Sequence, residues 1–145
     1  MQTMYKNHEA IQSLRGNYGD AGFRILKAPV QYTEQCGYLT SFEGKNVYYR
    51  GDTGAPVAVH GKNYKGLQYS EMIDKTRDML ERCDLDCTGI KESIQVSHNG
   101  AMCKVEYDLP ATSFKTPDGD YGSAKVMALN SWNGVWSFVM SLGFQ

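Results

Sequence analysis

The chain lacks any long apolar run. No stretch approaches the roughly 20 consecutive apolar residues that a membrane-spanning helix needs. The first residues, Met1-Gln2-Thr3-Met4-Tyr5-Lys6, hold no apolar export core. The resulting expectation is a cytoplasmic protein with no membrane role. Excess charge of either sign is also missing. Fifteen Lys and Arg against sixteen Asp and Glu leave a net charge of −1, whereas a basic binder of duplex DNA carries more positive charge. The usual finger and ribbon spacings are absent from the four cysteines at 36, 83, 87 and 103, so no metal site is expected. Without an export signal their default state is the reduced, buried thiol. Sequence signatures of chemistry are missing as well. There is no P-loop, no glycine-rich dinucleotide fingerprint and no nucleophile elbow. A cysteine could pair with His60 or His98 as thiol nucleophile and base, but any chain with four Cys and three His permits that. Asp118-Gly119-Asp120 lacks the further acids and closing Glu of a calcium loop, which leaves turn chemistry. The chain therefore reads as a non-enzyme without a cofactor.

What is present is an order of elements. With 145 residues the chain is long enough for one domain with a real core. Its 41% hydrophobic and 21% charged residues are ordinary for a globular protein. Residues 1–40 read as an N-terminal arm or sub-structure. Asn7 would cap a short helix reaching Arg15, and Phe23 to Leu26 would form a short strand ended by Ala28-Pro29. Residues 41–145 read as the core. Val47 to Arg50 and Ala55 to His60 make a first hairpin, with Arg50-Gly51-Asp52-Thr53-Gly54 as its bend.

A helix is expected from Ser70 to about Cys83. Ser70 is the N-cap, Glu71 and Asp74 favour the first turn and Arg82 the last. Met72, Ile73, Thr76, Met79, Leu80 and Cys83 form its apolar stripe, with Arg77 among the charged residues of the other side. Antiparallel strands follow. Ile94 to Ser97 and Ala101 to Leu109 join at Asn99-Gly100, with Pro110 as the stop. Ser123 to Asn130 turns at Asn133-Gly134 into Val135 to Leu142. In that last strand Trp136, Phe138, Met140 and Leu142 share one side and would lie on the helix. The fold class is thus α+β: an antiparallel sheet of successive hairpins packed on one main helix. An apolar strand so near the end of the sequence would pair with another chain, or belong to a longer protein.

Charge is unevenly spread. Glu71 to Glu92 holds seven acids and four bases, a net of −3, so the remainder is about +2. Any nucleic-acid face therefore lies off the helix. Around the first hairpin, aromatics and bases interleave: Tyr48, Tyr49, Arg50, Lys62, Tyr64, Lys65 and Tyr69. Single-stranded nucleic acid is held by this combination, rings stacking on bases and cations tracking phosphates. The plainer alternative is that these are ordinary sheet tyrosines and turn lysines in a chain with ten Tyr.

Three segments carry a resemblance. They are Arg50-Gly51-Asp52-Thr53-Gly54 with Val57 to Tyr64, then Tyr64-Lys65-Gly66-Leu67-Gln68 leading into a helix, then Asn130-Ser131-Trp132-Asn133-Gly134. Their order and spacing over about residues 20–142 resemble the N-terminal part of a phage- and plasmid-borne family, domain-of-unknown-function family 932. The resemblance implies a mobile-element origin and assigns no activity. Members continue with an Arg, a Cys, an Asn-Gly and further helices, none of which this chain has; it would be a short form or part of a longer protein.

Three functions are compatible with these readings. The first is a phage-encoded, non-enzymatic single-strand-binding protein resembling single-strand annealing proteins. Tyr48, Tyr49 and Tyr64 would stack on bases, Arg50, Lys62 and Lys65 would contact phosphates, and the terminal strand would join a homo-oligomer. The second is an anti-CRISPR-like inhibitor that binds a host defence protein through the acidic helix face. The third is a virion or accessory structural protein.

Overall fold

A computed structural model describes residues 7–115 and 117–144. The order is α1 (His8–Gln12), β1 (Ile25–Thr33), β2 (Leu39–Arg50), β3 (Pro56–Gly61), α2 (Tyr69–Arg82), β4 (Lys91–Ser97), β5 (Met102–Lys115), β6 (Tyr121–Ser131) and β7 (Val139–Phe144). The strands form two antiparallel meanders, β1-β2-β3 and β4-β5-β6-β7. The class is therefore α+β with hairpin-built sheets and one main helix. One apolar cluster joins α1, both sheets and α2 through Ile11, Ile25, Tyr48, Tyr69, Leu80 and Val105.

The expected division after residue 40 does not hold. β1 pairs with β2 from Ile25↔Arg50 to Thr33↔Leu39, so residue 40 lies inside a continuous hairpin. Nor does Pro29 end β1. β1 is an edge strand, and the register breaks between Pro29 and Val30, so the missing N–H is tolerated. Pro110 likewise does not end β5. It falls past the last β4 partner, Asp108, and inside a bulge between Leu109 and Phe114. There the Thr112 hydroxyl accepts from Ala124 N–H at 2.8 Å, standing in for a lost ladder bond.

α2 buries Tyr69, Met72, Ile73, Thr76, Arg77 and Leu80. The expected stripe is there, with Met79 and Cys83 half-buried against the core. Two details differ from expectation. The helix begins at Tyr69, and Gln68 occupies the cap position without capping. Its side-chain amide pairs instead with β1, accepting from Ile25 N at 2.9 Å and donating to Ile25 O at 2.8 Å. Arg77, expected on the charged side, is fully buried. Its guanidinium donates to both oxygens of Glu92 at 3.0 Å and to Asn17 O at 2.5 Å, and lies 5.3 Å from the Tyr18 ring centroid. Those partners make burial of the charge tolerable.

Asn7 also departs from its expected role. It makes no side-chain cap on α1. Its amide donates to Leu80 O and Leu85 O at 2.9 Å, and its carbonyl accepts from Cys87 N at 2.9 Å. Asn7 thus closes the open carbonyls at the far end of α2.

In the second sheet, Cys103, Val105, Tyr107 and Leu109 stand opposite Asn130, Ala128, Val126 and Ala124, and these are buried under α2 and its flanks. The outer face carries Lys104, Glu106, Asp108 and Lys125 in ion pairs of 3.2–3.7 Å. The β4–β5 turn places Asn99 and Gly100 at positive φ, 56° and 98°, as expected, and His98 before them at 54° as well.

β7 starts at Val139 instead of Val135. Trp136 lies in the preceding loop, where Ser131 Oγ accepts from its N–H at 2.7 Å and donates to its C=O at 2.8 Å. Met140 and Leu142 stand opposite Ala128 and Val126, on the helix side of the sheet as expected. They are not covered, however: α2 packs on β6, and at the edge Met140 and Leu142 remain 37% and 53% exposed.

Candidate nucleic-acid interface

The period of a strand decides how the predicted residues divide. Successive side chains point to opposite faces, and directly opposed residues share a face. Tyr48 stands opposite Lys27 and Ala58, Arg50 opposite Ile25, and Tyr49 opposite Leu26. Tyr48 and Arg50 therefore face the body, and Tyr49 the other side. The six predicted residues do not make one surface.

Tyr48 is 4% exposed. Its ring lies 5.3–5.5 Å from those of Trp132, Tyr64 and His60, so it has no face to offer a base. The stacking role assigned to it is corrected to a core role. Arg50 is engaged too. Its guanidinium lies 4.0 Å above Phe23 and holds Asp52 with two bonds, Nε to Oδ1 at 3.0 Å and Nη2 to Oδ2 at 2.9 Å. The guanidinium hydrogen bond holds the Asp52 carboxyl below its ordinary range. Gly100 backs this stack: at φ 98°, an added Cβ would sit 2.7 Å from Arg50 Cδ. The cavity there, about 560 Å³, is lined by Asp20 and Asp52 as well as Arg50. Its two acids offset its single cation, which makes it a poor seat for phosphate.

Tyr64, Lys65 and Lys62 lie together, on the segment that leads from β3 to α2. Tyr64 N–H donates to Gly61 O at 3.1 Å, turning the chain out of the strand. The Tyr64 ring stacks on His60 with centroids 3.7 Å apart and planes at 12°. Burial and the neighbouring Tyr48 raise its hydroxyl above the ordinary range. His60 Nε2 meets Trp132 O at 2.5 Å, which ties the first sheet to the loop after β6. Gly66 then crosses the Trp132 indole so closely that a Cβ would fall 2.2 Å from Cζ3.

Two cavities flank this strap and share Tyr64, Lys65 and Gly66 as their common wall. The first, about 510 Å³, also takes Lys27, Tyr48 and Trp132 in its lining. The second, about 280 Å³, adds Asn130, Trp136 and Phe138. No Asp or Glu lines either one among the described residues. Lys65 is exposed, and the Trp132 indole N–H is buried without a hydrogen-bond partner among the described residues. Sequence reading missed Lys27, Trp132, Trp136 and Phe138 as site residues. The register Lys27↔Tyr48 was the one signal available in principle, once β1 and β2 were paired.

His98 Nδ1 meets Ser97 Oγ at 3.2 Å. Burial pushes the Cys103 thiol up to about 12, far from a nucleophile at neutral pH. No group of three or more His, Cys, Asp or Glu among the described residues is arranged to hold a metal ion. None of the described helices is long and apolar enough to cross a membrane. No protein-family model, curated protein or solved structure matches the chain.

Proposed function

We propose that this is a phage-encoded, non-enzymatic single-stranded nucleic-acid-binding protein acting in the host-cell cytoplasm. It holds the strand across the Tyr64–Gly66 strap. One observation carries the reading: two adjoining cavities, floored by aromatic rings and edged by Lys27 and Lys65, are lined by no carboxylate among the described residues. Rings offer stacking worth about 1–3 kcal/mol per base, and the lysines offer phosphate contacts. Lys62, exposed at the end of the strap nearer β3, extends the cationic edge. Tyr48 supports the site from within, its ring against Tyr64 and Trp132. The solvent face of the second sheet is a weaker candidate, because Lys104 and Lys125 are already paired with acids.

The test is fluorescence anisotropy with a labelled single-stranded oligonucleotide across a salt series, comparing the protein with Lys27→Ala/Lys65→Ala. Each lost phosphate contact on a single strand lowers the salt slope by about 0.7. The double variant should bind more weakly and with a slope shallower by roughly twice that amount. Equal affinity and slope in a folded double variant would overturn the reading.

Self-association through β7 belongs to the same proposal. β7 is the outer strand of its sheet, and Val139, Met140 and Leu142 on it are 37–53% exposed. An open, uncharged edge of this kind is suited to strand addition. The inhibitor reading draws less support. On the helix face it would use, Glu81 and Asp78 already hold Arg15, Glu81 also meets His8, and Asp74 accepts from Tyr18.

A further inference from the structure

We infer that Cys83 and Cys87 form an oxidisable dithiol that closes to a disulfide by exchange with glutathione disulfide. The two thiols converge at the carboxyl end of α2. Cys83 Sγ lies 3.2 Å from Leu80 O and 3.9 Å from Leu85 O. Cys87 Sγ lies 3.7 Å and 3.8 Å from the same two oxygens. Two sulfurs that share both acceptors face one small volume. The backbone brings them there: Cys83 leaves the helix at ψ 165°, and the turn through Leu85 returns Cys87 beneath Leu80.

The pair is asymmetric in access. Cys83 is half-buried and Cys87 is fully buried. Exchange requires a thiolate with a path to the incoming sulfur, so Cys83 reacts first. Its thiolate attacks one sulfur of glutathione disulfide; a Cys83–glutathione bond forms and one glutathione leaves as thiolate. The Cys87 thiolate then attacks the Cys83 sulfur and releases the second glutathione. Two protein thiols are oxidised, one glutathione disulfide is reduced to two glutathiones, and the two protein protons end on them. Asn7 keeps its bonds to Leu80 O and Leu85 O throughout, so the carbonyls that lose thiol donors are not left bare. The other two cysteines do not compete for this closure. Cys103 is buried in the second sheet, and Cys36 is exposed in the turn between β1 and β2.

The experiment treats the Cys36→Ser protein with glutathione disulfide and reads intact mass and a non-reducing peptide map. The expected product is two hydrogens lighter, contains a peptide linked between residues 83 and 87, and unfolds at a higher temperature than its reduced form. Adding Cys87→Ser should halt the reaction as a stable glutathione adduct on Cys83. An unchanged mass would overturn the inference, as would a persistent glutathione adduct on Cys83 while Cys87 is intact. Should Cys87→Ser fail to fold, the peptide map of the Cys36→Ser protein decides alone.

Discussion

Gly66→Ala is the smallest change that would disturb both cavities at once. The added Cβ would lie 2.2 Å from Trp132 Cζ3, 2.4 Å from Cη2 and 2.7 Å from Cε3. Ordinary carbon contacts begin near 3.5 Å, so something must move by more than about 1 Å. The indole cannot easily give way. Trp132 is 3% exposed, its backbone N–H donates to Ala101 O at 2.7 Å, and its backbone C=O meets His60. The strap is freer, since Lys65 and Gly66 are exposed. It should lift, opening the wall that the two cavities share and shifting Tyr64 on His60. Overpacking of this kind costs about 1–3 kcal/mol, and the exposed strap places this site at the lower end. Urea unfolding followed by tryptophan fluorescence measures the cost, and anisotropy with a single-stranded oligonucleotide measures the binding. The expected result is a lower unfolding midpoint, altered emission from Trp132 in the folded state, and weaker binding. Wild-type stability with unchanged emission would refute the packing argument. A destabilised protein with wild-type affinity would refute the placement of the strand.

Arg77→Ala should cost about 3–5 kcal/mol by leaving Glu92 buried without its cation; the two side chains are 0% and 12% exposed. The pair is not fully satisfied, since Arg77 Nη1 has no hydrogen-bond partner among the described residues, so Arg77→Leu with Glu92→Leu should be less harmful than Arg77→Ala, and a double-mutant cycle whose losses simply add would refute the coupling. Glu81 should contribute a pH-dependent share of stability, because the Arg15 hydrogen bond holds its carboxyl below the ordinary value near 4.5. A depressed folded value means stability that is present above the unfolded value and lost as pH falls through the folded one. Glu81→Gln should therefore lie closest to wild type in acid and furthest from it at neutral pH, and a gap that stays constant from pH 7 to pH 3 in urea titrations would refute this.

Local rules made much of the fold legible. The stripe Met72, Ile73, Thr76 and Leu80 marks α2, and Asn99-Gly100 marks the β4–β5 turn. The β1–β2 hairpin was hidden, because Pro29 reads as a breaker while the bulge and the edge position make it tolerable. The terminal strand was placed early, since Val135 to Phe138 continue its apolar pattern although Ser131 holds that stretch as a loop. The burial of Arg77 depends on Glu92, fifteen residues away, and no helical periodicity reveals it. Within the site, alternation alone separates Tyr48 from Tyr49. The encounter of His60 with Trp132, 72 residues apart, follows only from the packing of one sheet on the other.

The Asn7 side chain joins three carbonyls near the end of α2 to an amide eighty residues away. That bridge ties together the fates of two remote segments. The Cys87 amide donates to the Asn7 side chain, from the other end of the sequence. Its solvent exchange therefore reports whether Asn7 is docked against the end of α2. In folding terms this is a late contact, because a long loop must close before the amide meets its acceptor. One backbone proton can thus serve as a clock for the last step of assembly.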